Sequence, residues 1–207
     1  MTSLDDLQKH YGTPSPLAVA KEITFLDKHA RRFIALSPFL VIGSFGADGL
    51  GDVSPKGDAP GFVQVLDDKT LLIPDRPGNN RIDTLGNITQ NAGIGLLFMI
   101  PGVTETLRIN GRARFTAEEA HLEATVAHGK QPRGGILVDV AEVYLHCSKA
   151  LVRSKLWKED YRVERSVLPS LGQMVADQAA EAGTYPEKID VAEADKRITE
   201  SVEKRLY

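Results

Sequence analysis

What this 207-residue chain lacks excludes several classes of protein. It has a single cysteine, Cys147, so no disulfide bond can form within the chain, and we expect a reducing, cytoplasmic setting. No apolar run is long enough to span a bilayer, and the first residues do not combine a basic segment with an apolar one, so we expect no signal peptide. The net charge of −3 gives no indication of general binding to nucleic acids or membranes.

Several short motifs that would indicate a specific chemistry are also missing. There is no glycine-rich dinucleotide fingerprint after a strand and no nucleoside-triphosphate loop. His121 and His128 could share one helix face, but none of the five histidines has close metal-ligand spacing, so we expect no metal site. The pair His146-Cys147 could indicate a thiol catalyst or a haem ligand. We interpret Cys147 instead as a small buried residue at the end of a strand.

The hydrophobic pattern predicts an antiparallel β-sheet with helices at both ends of the chain. The predicted strands are 39–45, 51–58, 62–66, 70–73, 92–100, 104–115 and 136–146. The predicted helices follow Ser15, Asp27 and Thr116 or cover 81–90, 149–157, 171–182 and 192–206. Residues 1–15 are polar and predict a loosely held arm. Because strands and helices do not alternate regularly, we expect an α+β protein built on an antiparallel barrel and not a doubly wound parallel sheet.

Three positions predict local irregularities. Pro55 has no backbone N–H, so its strand must be irregular there or lie at a sheet edge. Gly111 interrupts the phase in which Leu107, Ile109, Ala113 and Phe115 alternate, which indicates a possible slip in pairing. Thr116 and the glutamate three residues later have the spacing of a capping box.

One turn concentrates groups that suit a phosphate. Residues 71–85 predict the end of a strand, a turn and the start of a helix, since Pro77 fixes φ and Gly78 permits a positive φ. Arg76 and Arg81 flank this turn. A helix N-terminus offers unpaired N–H groups and the positive end of a dipole, and together with arginine side chains these groups favour phosphate binding. The alternative is a surface turn whose arginines are merely solvated.

The order of five segments resembles a known family. These segments are SPFLVI at 37–42, DVSPKGD at 52–58, LIPDRPGNNR at 72–81, LRINGRA at 107–113 and KALVRSKLW at 149–157. Between Ala30 and Trp157 the chain is similar to the pyridoxamine 5′-phosphate oxidase-like family of FMN-binding split barrels. The resemblance implies an antiparallel split β-barrel with flanking helices and a helical C-terminal extension. We divide the chain into an arm and helix at 1–26, a barrel domain at 27–157 and a helical extension at 158–207.

The resemblance also implies a homodimer that holds FMN at the subunit interface. The residues it places at the cofactor are Val53, Ser54 and Lys56 along the flavin ring and ribityl chain, Asp75 and Arg76 at a strand end, Asn79, Asn80 and Arg81 at the phosphate, Thr106 and Arg108 from the partner subunit, and Trp157 at the ring edge. Lys56, Arg76 and Arg81 are cations that could neutralise the phosphate through hydrogen bonds worth about 1.5–3 kcal/mol each. Trp157 could instead pack a late helix onto the barrel.

The expected function is that of an FMN-dependent oxidoreductase acting on an unknown small molecule, with a nicotinamide cofactor as a possible electron donor. The chain departs from true pyridoxamine phosphate oxidases because it lacks their C-terminal Arg/His signature, which argues against that substrate. Two alternatives stay open. One is a non-catalytic flavin-binding or redox-sensing protein, and the other is a split barrel that uses a deazaflavin or haem.

Overall fold

The computed structural model describes residues 3–207, and within them one seven-stranded antiparallel sheet is surrounded by helices. The strands are β1 Phe39–Phe45, β2 Gly51–Gly57, β3 Gln64–Val65, β4 Thr70–Pro74, β5 Gly93–Met99, β6 Thr106–Thr116 and β7 Gly135–His146. The α-helices are α1 Leu4–Tyr11, α2 Pro16–Ala20, α3 Lys28–Leu36, α4 Asp83–Gln90, α5 Glu119–Leu122, α6 Lys149–Ser154, α7 Leu171–Ala182 and α8 Val191–Lys204. Short 3₁₀ turns cover Glu123–Thr125, Glu159–Tyr161 and Arg165–Val167.

The sheet curls until elements from its two sides meet. The strand order is β2-β1-β5-β6-β7-β4-β3, so five strand spacings separate β2 from β4. In a flat sheet that distance would be roughly 24 Å. Yet Asp58, which follows β2, lies 2.6 Å from Arg76, which follows β4, and Lys56 lies 3.4 Å from Asp75. The sheet is therefore an incompletely closed barrel, and the expected α+β split barrel is confirmed.

The inside of this barrel is one hydrophobic core. Alternate residues of β1, β5 and β6 point into it, including Leu40, Phe98 and Ile109, none of which is exposed. Helix α3 covers the core with Ala30 and Ile34 among its buried residues. Each large apolar side chain buried in this way contributes about 1.5–3 kcal/mol to folding, so the alternation that predicted the strands also supplies the stability of the barrel.

Local capping signals position several helices where the sequence predicts them. Ser15 accepts a hydrogen bond from the Ala18 N–H, and Asp27 accepts one from the Ala30 N–H at 2.8 Å. Helix α7 has the predicted bounds, and it ends at Gly183, whose φ is +62°. The edge position predicted for the strand that contains Pro55 is confirmed, because β2 is the first strand of the sheet.

Other predictions about local structure were wrong. Helix α1, capped by Ser3, replaces most of the arm predicted at 1–15, of which Met1 and Thr2 lie outside the described residues. Thr116 forms no capping box, because its hydroxyl accepts the N–H of Glu118 and bonds the ring of His121, and α5 is correspondingly short.

Two predictions made from the apolar pattern were also wrong. Strand β3 has only two residues, since the preceding Phe62 and Val63 are buried by packing and not by strand pairing. Phe115 is 47% exposed although it shares the phase of buried β6 residues. Within residues 3–207, no helix combines the length and the apolar character that crossing a membrane would require. The division of the chain at 26 and 157 stays a prediction.

The slip predicted at Gly111 is a β-bulge. Asn110 pairs with Glu142 and Gly111 with Val140, so Ala141 of β7 has no partner residue in β6. A Cβ atom on Gly111 would overlap the carbonyl oxygen of Asp139. This overlap explains why glycine is required at this point in the pairing of β6 with β7.

Gly111→Ala should therefore destabilise the protein by about 1–3 kcal/mol, because the overlap with the Asp139 carbonyl must be relieved by moving backbone. Gly86→Ala is the matched control, since a Cβ on this helical glycine meets no atom within 4 Å. That control should be neutral or stabilise by about 0.4–1 kcal/mol. Urea unfolding of both variants measures the difference, and equal midpoints would show that the bulge tolerates a side chain.

Candidate functional site

A cavity of about 750 Å³ opens where the two sides of the curled sheet meet, a volume within the roughly 300–1,000 Å³ of small-molecule sites. The cavity is lined by residues 52–56 of β2, 75–81 after β4, 82–85 at the start of α4, 130–133 before β7, and Ser201, Arg205 and Tyr207 from the end of α8 and just beyond it. Segments that are distant in the sequence thus share one site because the barrel closes around it.

The predicted phosphate turn lines one side of this cavity, but its backbone differs from the expectation. The positive φ angles belong to Asn80, at +59°, and Ile82, at +54°, and not to Gly78. Asparagine tolerates this region, whereas an isoleucine there costs on the order of 1–3 kcal/mol. The side chain of Asn79 accepts the Arg81 N–H at 3.0 Å, which helps to fix the turn. Helix α4 consequently begins at Asp83, two residues later than predicted.

The N-terminus of α4 carries no side-chain cap. Its N-cap residue is Ile82, whose side chain contains no hydrogen-bond acceptor, and no side-chain hydrogen bond caps the helix. Residues 82–85 line the cavity, so the first turn of the helix borders the space where a ligand would lie. Unpaired N–H groups and the positive end of the helix dipole suit an anion, and this feature fits the phosphate of a flavin nucleotide.

The three predicted phosphate cations are each paired with a carboxylate. Lys56 lies 3.4 Å from Asp75, and Arg81 lies 2.8 Å from Asp83 with 72% of its side chain exposed. Arg76, whose side chain is only 16% exposed, holds Asp58 at 2.6 Å. Hydrogen bonding to Asp83 raises the pKa of Arg81, which therefore keeps its charge. These pairs fix the cations in place, and they also offset much of the charge that a phosphate would otherwise meet.

Asp58 links three distant parts of the chain. One carboxylate oxygen accepts the Arg76 Nε–H, and the other accepts the Ala59 N–H at 2.7 Å and the Tyr207 hydroxyl at 2.6 Å. Burial alone would raise the pKa of Asp58, but these hydrogen bonds outweigh it and lower the pKa below its ordinary value of 3.8. The same contact with Asp58 raises the pKa of Tyr207 above 10.0. At neutral pH the carboxylate is charged and the phenol is protonated, as the hydrogen bond requires.

A further wall of the cavity was not predicted from the sequence. That wall consists of Lys130, Gln131, Pro132, Arg133, Ser201, Arg205 and Tyr207. It brings the basic side chains around the cavity to six, against three acidic ones, and two positive charges remain in excess when Asp58 is also counted. The basic loop before β7 was a visible signal, but nothing local in the sequence indicates that the end of α8 reaches the cavity.

The structure assembles eight of the eleven predicted cofactor residues around the cavity, namely Val53, Ser54, Lys56, Asp75, Arg76, Asn79, Asn80 and Arg81. Thr106 is buried in β6, and Arg108 stacks 4.9 Å from the ring centre of Tyr144, so neither lines this cavity. The Trp157 Nε1–H donates to the carbonyl of Val103 at 2.8 Å, away from the cavity lining. The roles of these last three residues at the cofactor stay predictions.

The residues His146 and Cys147 at the end of β7 also lie outside the cavity lining. Cys147 is exposed, so the prediction of a buried cysteine was wrong. The Nδ1 atom of His146 is buried without a hydrogen-bond partner among the described residues, and burial, with Lys21 and Arg108 nearby, lowers the pKa of this histidine. Residues 3–207 contain no group of three or more His, Cys, Asp or Glu side chains arranged to hold a metal ion.

Asp58 should make the folded protein sensitive to acid. Because its pKa is lowered in the folded state, its stabilising contribution is complete above pH 3.8 and is lost as the pH falls through the folded value. Asp58→Asn should reduce the free energy of unfolding at pH 7 by about 1.5–3 kcal/mol and should flatten the loss of stability below pH 4.

Asp160→Asn is the control for this measurement, since that carboxylate is 69% exposed and lies 4.0 Å from Lys155. It should change stability by less than about 0.5 kcal/mol. Urea titrations between pH 3 and 7 compare the two variants, and parallel pH curves for Asp58→Asn and the wild type would contradict the assignment.

Known proteins with solved structures resemble this chain only distantly. HupZ of Group A Streptococcus is 20% identical and aligns over 57% of this chain and 92% of its own, with a TM-score of 0.48. An FMN-binding protein from Syntrophomonas wolfei is 7% identical over 70% of this chain and 97% of its own, with a TM-score of 0.44. An FAD binding protein from Mycobacterium smegmatis is 15% identical over 59% and 96%, with a TM-score of 0.40.

The family itself is established by the sequence match. No curated protein matches this chain. Residues 26–147, however, match the family model described as pyridoxamine 5′-phosphate oxidase, and they include all seven strands of the sheet. This segment is more than half of the chain. The chain belongs to the pyridoxamine 5′-phosphate oxidase family.

Proposed function

We propose that this protein is an FMN-dependent oxidoreductase that acts on a small organic molecule other than pyridoxamine 5′-phosphate. The observation that carries the proposal is the cavity in which the uncapped N-terminus of α4, three paired cations and an exposed strand edge lie together. Bound flavin would supply hydride or electron transfer, with a nicotinamide cofactor as the donor. The protein's part would be to bind and orient the flavin and to set its electrostatic surroundings.

The phosphate would lie at the α4 end of the cavity. There, the backbone N–H groups of the first helical turn would donate to it, and Arg81, as the most exposed of the paired cations, could turn from Asp83 toward it. The Nε–H of Arg76 is committed to Asp58, which fixes this guanidinium in the cavity wall. Lys56 keeps two further ammonium hydrogens beyond its bond to Asp75.

The ring would lie along β2. Val53 is 69% exposed although it is apolar, and it sits on an edge strand whose residues 52–56 border the cavity. Covering such a side chain with a flat aromatic ring removes apolar surface from water. This burial stabilises the complex by roughly 25 cal/mol per Å². Ser54 shares its face of the strand with Lys56, where its hydroxyl would meet the polar part of the ligand as the chain of the flavin passes the strand edge.

We further propose that the protein is a homodimer with one flavin at each of two interfacial cavities. In this arrangement Arg108, which does not line the cavity of its own chain, would reach the partner's cavity, whereas Thr106 is buried in its own chain and would support this strand from within. Exposed apolar side chains such as Leu50, Val53 and Leu145 are consistent with a covered surface.

Analytical ultracentrifugation should therefore give twice the 22.6 kDa chain mass, and FMN titration should give one site per chain. Arg108→Ala should weaken FMN binding without changing the fold of the barrel, because its present contact is with the surface of the Tyr144 ring. A monomer that binds FMN with full affinity in the wild type and in this variant would contradict the dimeric site.

A non-catalytic flavin-binding protein is the second candidate, and one observation favours it. Among the cavity-lining residues of 3–207 there is neither histidine nor cysteine, so the wall provides no imidazole or thiol for proton transfer. Oxidation of a nicotinamide donor, followed by loss of flavin absorbance under anaerobic conditions, would distinguish an enzyme from a carrier. The absorbance spectrum also separates flavin from the deazaflavin and haem alternatives.

Arg81→Ala tests the position of the phosphate. It should weaken FMN binding about 10- to 100-fold, because a charge-assisted hydrogen bond to phosphate is worth about 1.5–3 kcal/mol. Binding of riboflavin, which has no phosphate, should be unchanged. Quenching of flavin fluorescence measures both affinities on the same preparation.

Arg114→Ala is the matched control, since Arg114 is an arginine paired with Asp139 outside the cavity lining. It should leave both affinities at the wild-type value. An equal loss of FMN and riboflavin binding in Arg81→Ala would indicate damage to the turn and not removal of a phosphate contact. A wild-type protein that binds neither flavin would overturn the proposed function.

A further inference from the structure

The wall contributed by the end of α8 differs from the phosphate turn in its charge. Lys56, Arg76 and Arg81 each have a carboxylate partner. Arg133 and Arg205 also line the cavity, but no carboxylate among the described residues lies within ion-pair distance of either guanidinium. These two arginines lie beside the strand end at which the predicted phosphate turn begins, because the Asp75 N–H donates to the carbonyl of Gly134 at 2.9 Å and the Tyr207 ring lies 5.9 Å from the Arg76 guanidinium.

Tyr207 anchors this wall at several points. Its hydroxyl donates to Asp58 at 2.6 Å, and its carbonyl oxygen accepts a hydrogen bond from the Lys130 ammonium at 2.7 Å. Its ring lies 4.3 Å from the ring of His128 and 5.9 Å from the Arg76 guanidinium. These contacts fix the position of Tyr207. Because Tyr207 is only two positions after Arg205, they also fix the path of the backbone that carries Arg205 past the cavity.

The surface that receives Tyr207 is a tight turn. Ala127 and Lys130 exchange both of their backbone hydrogen bonds, at 3.1 and 2.9 Å, around His128 and Gly129. Both central residues have positive φ, at +50° and +71°, which is the geometry of a type I′ turn. Such a turn has little freedom, and it leads directly into the basic loop that contains Arg133. The turn at residues 127–130 is therefore a rigid contact surface for Tyr207 next to the cavity.

The other end of the wall is fixed by helix packing. Helix α7 contacts α8 through Gly172, whose N–H donates to the Asp195 carboxylate at 2.8 Å. A Cβ at Gly172 would overlap that carboxylate, so the two helices approach closely. Ser201 and Arg205 lie one turn apart at the end of α8, and the Arg205 N–H closes the last turn on the Ser201 carbonyl at 3.1 Å.

We propose that Arg205 and Arg133 form an anion-binding wall, supplied by the same chain, that neutralises the phosphate of the bound flavin nucleotide. The proposal rests on the proposed function and assigns the tail helices a direct part in the cofactor site. The carboxylate-paired cations hold the cavity's shape, and the two arginines without a carboxylate partner in the described part of the chain provide the net charge that a dianionic phosphate requires. Tyr207 is a positioning residue, because it holds the segment that carries Arg205.

A simpler role for Arg205 must be distinguished. A cation at the C-terminal end of a helix is favourable without any ligand, because it complements the helix dipole. That role predicts an effect on stability that is independent of flavin, whereas an anion-binding role predicts an effect that appears only when the ligand carries a phosphate. Comparing FMN with riboflavin separates the two.

The test measures the affinity of the full-length chain for FMN and riboflavin in Arg205→Ala, Arg133→Ala and the double variant. Each single change should weaken FMN binding roughly tenfold, and the double change further, with riboflavin affinity unchanged. Arg205→Lys should restore part of the FMN affinity because it keeps the charge. Inorganic phosphate should raise the melting temperature of the wild type more than that of the double variant, which gives a readout without flavin.

Arg197→Ala is the matched control on the same helix, because Arg197 pairs with Glu193 at 2.9 Å and lies outside the cavity lining. If Arg205→Ala and Arg133→Ala bind FMN as tightly as this control does, the wall does not bind the phosphate, while the proposed function stands. If the wild type binds neither flavin, the proposed function fails and this inference fails with it. An equal loss of FMN and riboflavin affinity in either variant would also overturn the wall as an anion site.

Discussion

The ion pair between Arg76 and Asp58 is the contact on which the site depends. The two residues follow strands that lie five spacings apart in the sheet, and only a curled sheet brings them to 2.6 Å. Both side chains are largely withdrawn from solvent, at 16% and 3% exposed, so either one left without the other would be a poorly hydrated charge. The closed barrel, the ion pair and the cavity therefore occur together in this structure.

The same pair would affect the electrostatics of the phosphate binding that we propose. A cation that must hold a carboxylate in order to close a barrel is only partly available to a ligand, and Lys56 and Arg81 are committed in a similar way. The site combines cations that are positioned by carboxylates with two arginines, Arg133 and Arg205, that have no carboxylate partner within residues 3–207. Because Asp58 also binds Tyr207, the closure of the barrel and the docking of the tail use one carboxylate. The shape of the cavity thus depends on the cations that are paired with carboxylates, and its excess positive charge depends on the other arginines.

Most of the fold could be predicted from the sequence because its determinants are local. Alternation fixes the strands, Asp27 caps α3 through a residue three positions away, and Gly111 marks the bulge because only glycine avoids the carbonyl across the pair. The position of the turn was predicted correctly but its φ angles were not, since a positive φ falls on Ile82, whose own propensity disfavours that region. The contact of Tyr207 with Asp58 spans 149 residues, and no local pattern encodes it.

The strained backbone of Ile82 lies at the N-terminus of α4, where the helix borders the cavity. A serine or aspartate at the N-cap would stabilise α4, typically by about 1 kcal/mol, because its side-chain oxygen would accept a hydrogen bond from one of the first N–H groups. Isoleucine provides no such oxygen and adds backbone strain, so the chain has the less stable helix start at this position. The N–H groups that a cap would have occupied are left facing a cavity whose excess charge is positive. Instability of this kind, confined to one turn and supported by the surrounding barrel, is what a preorganised anion site requires.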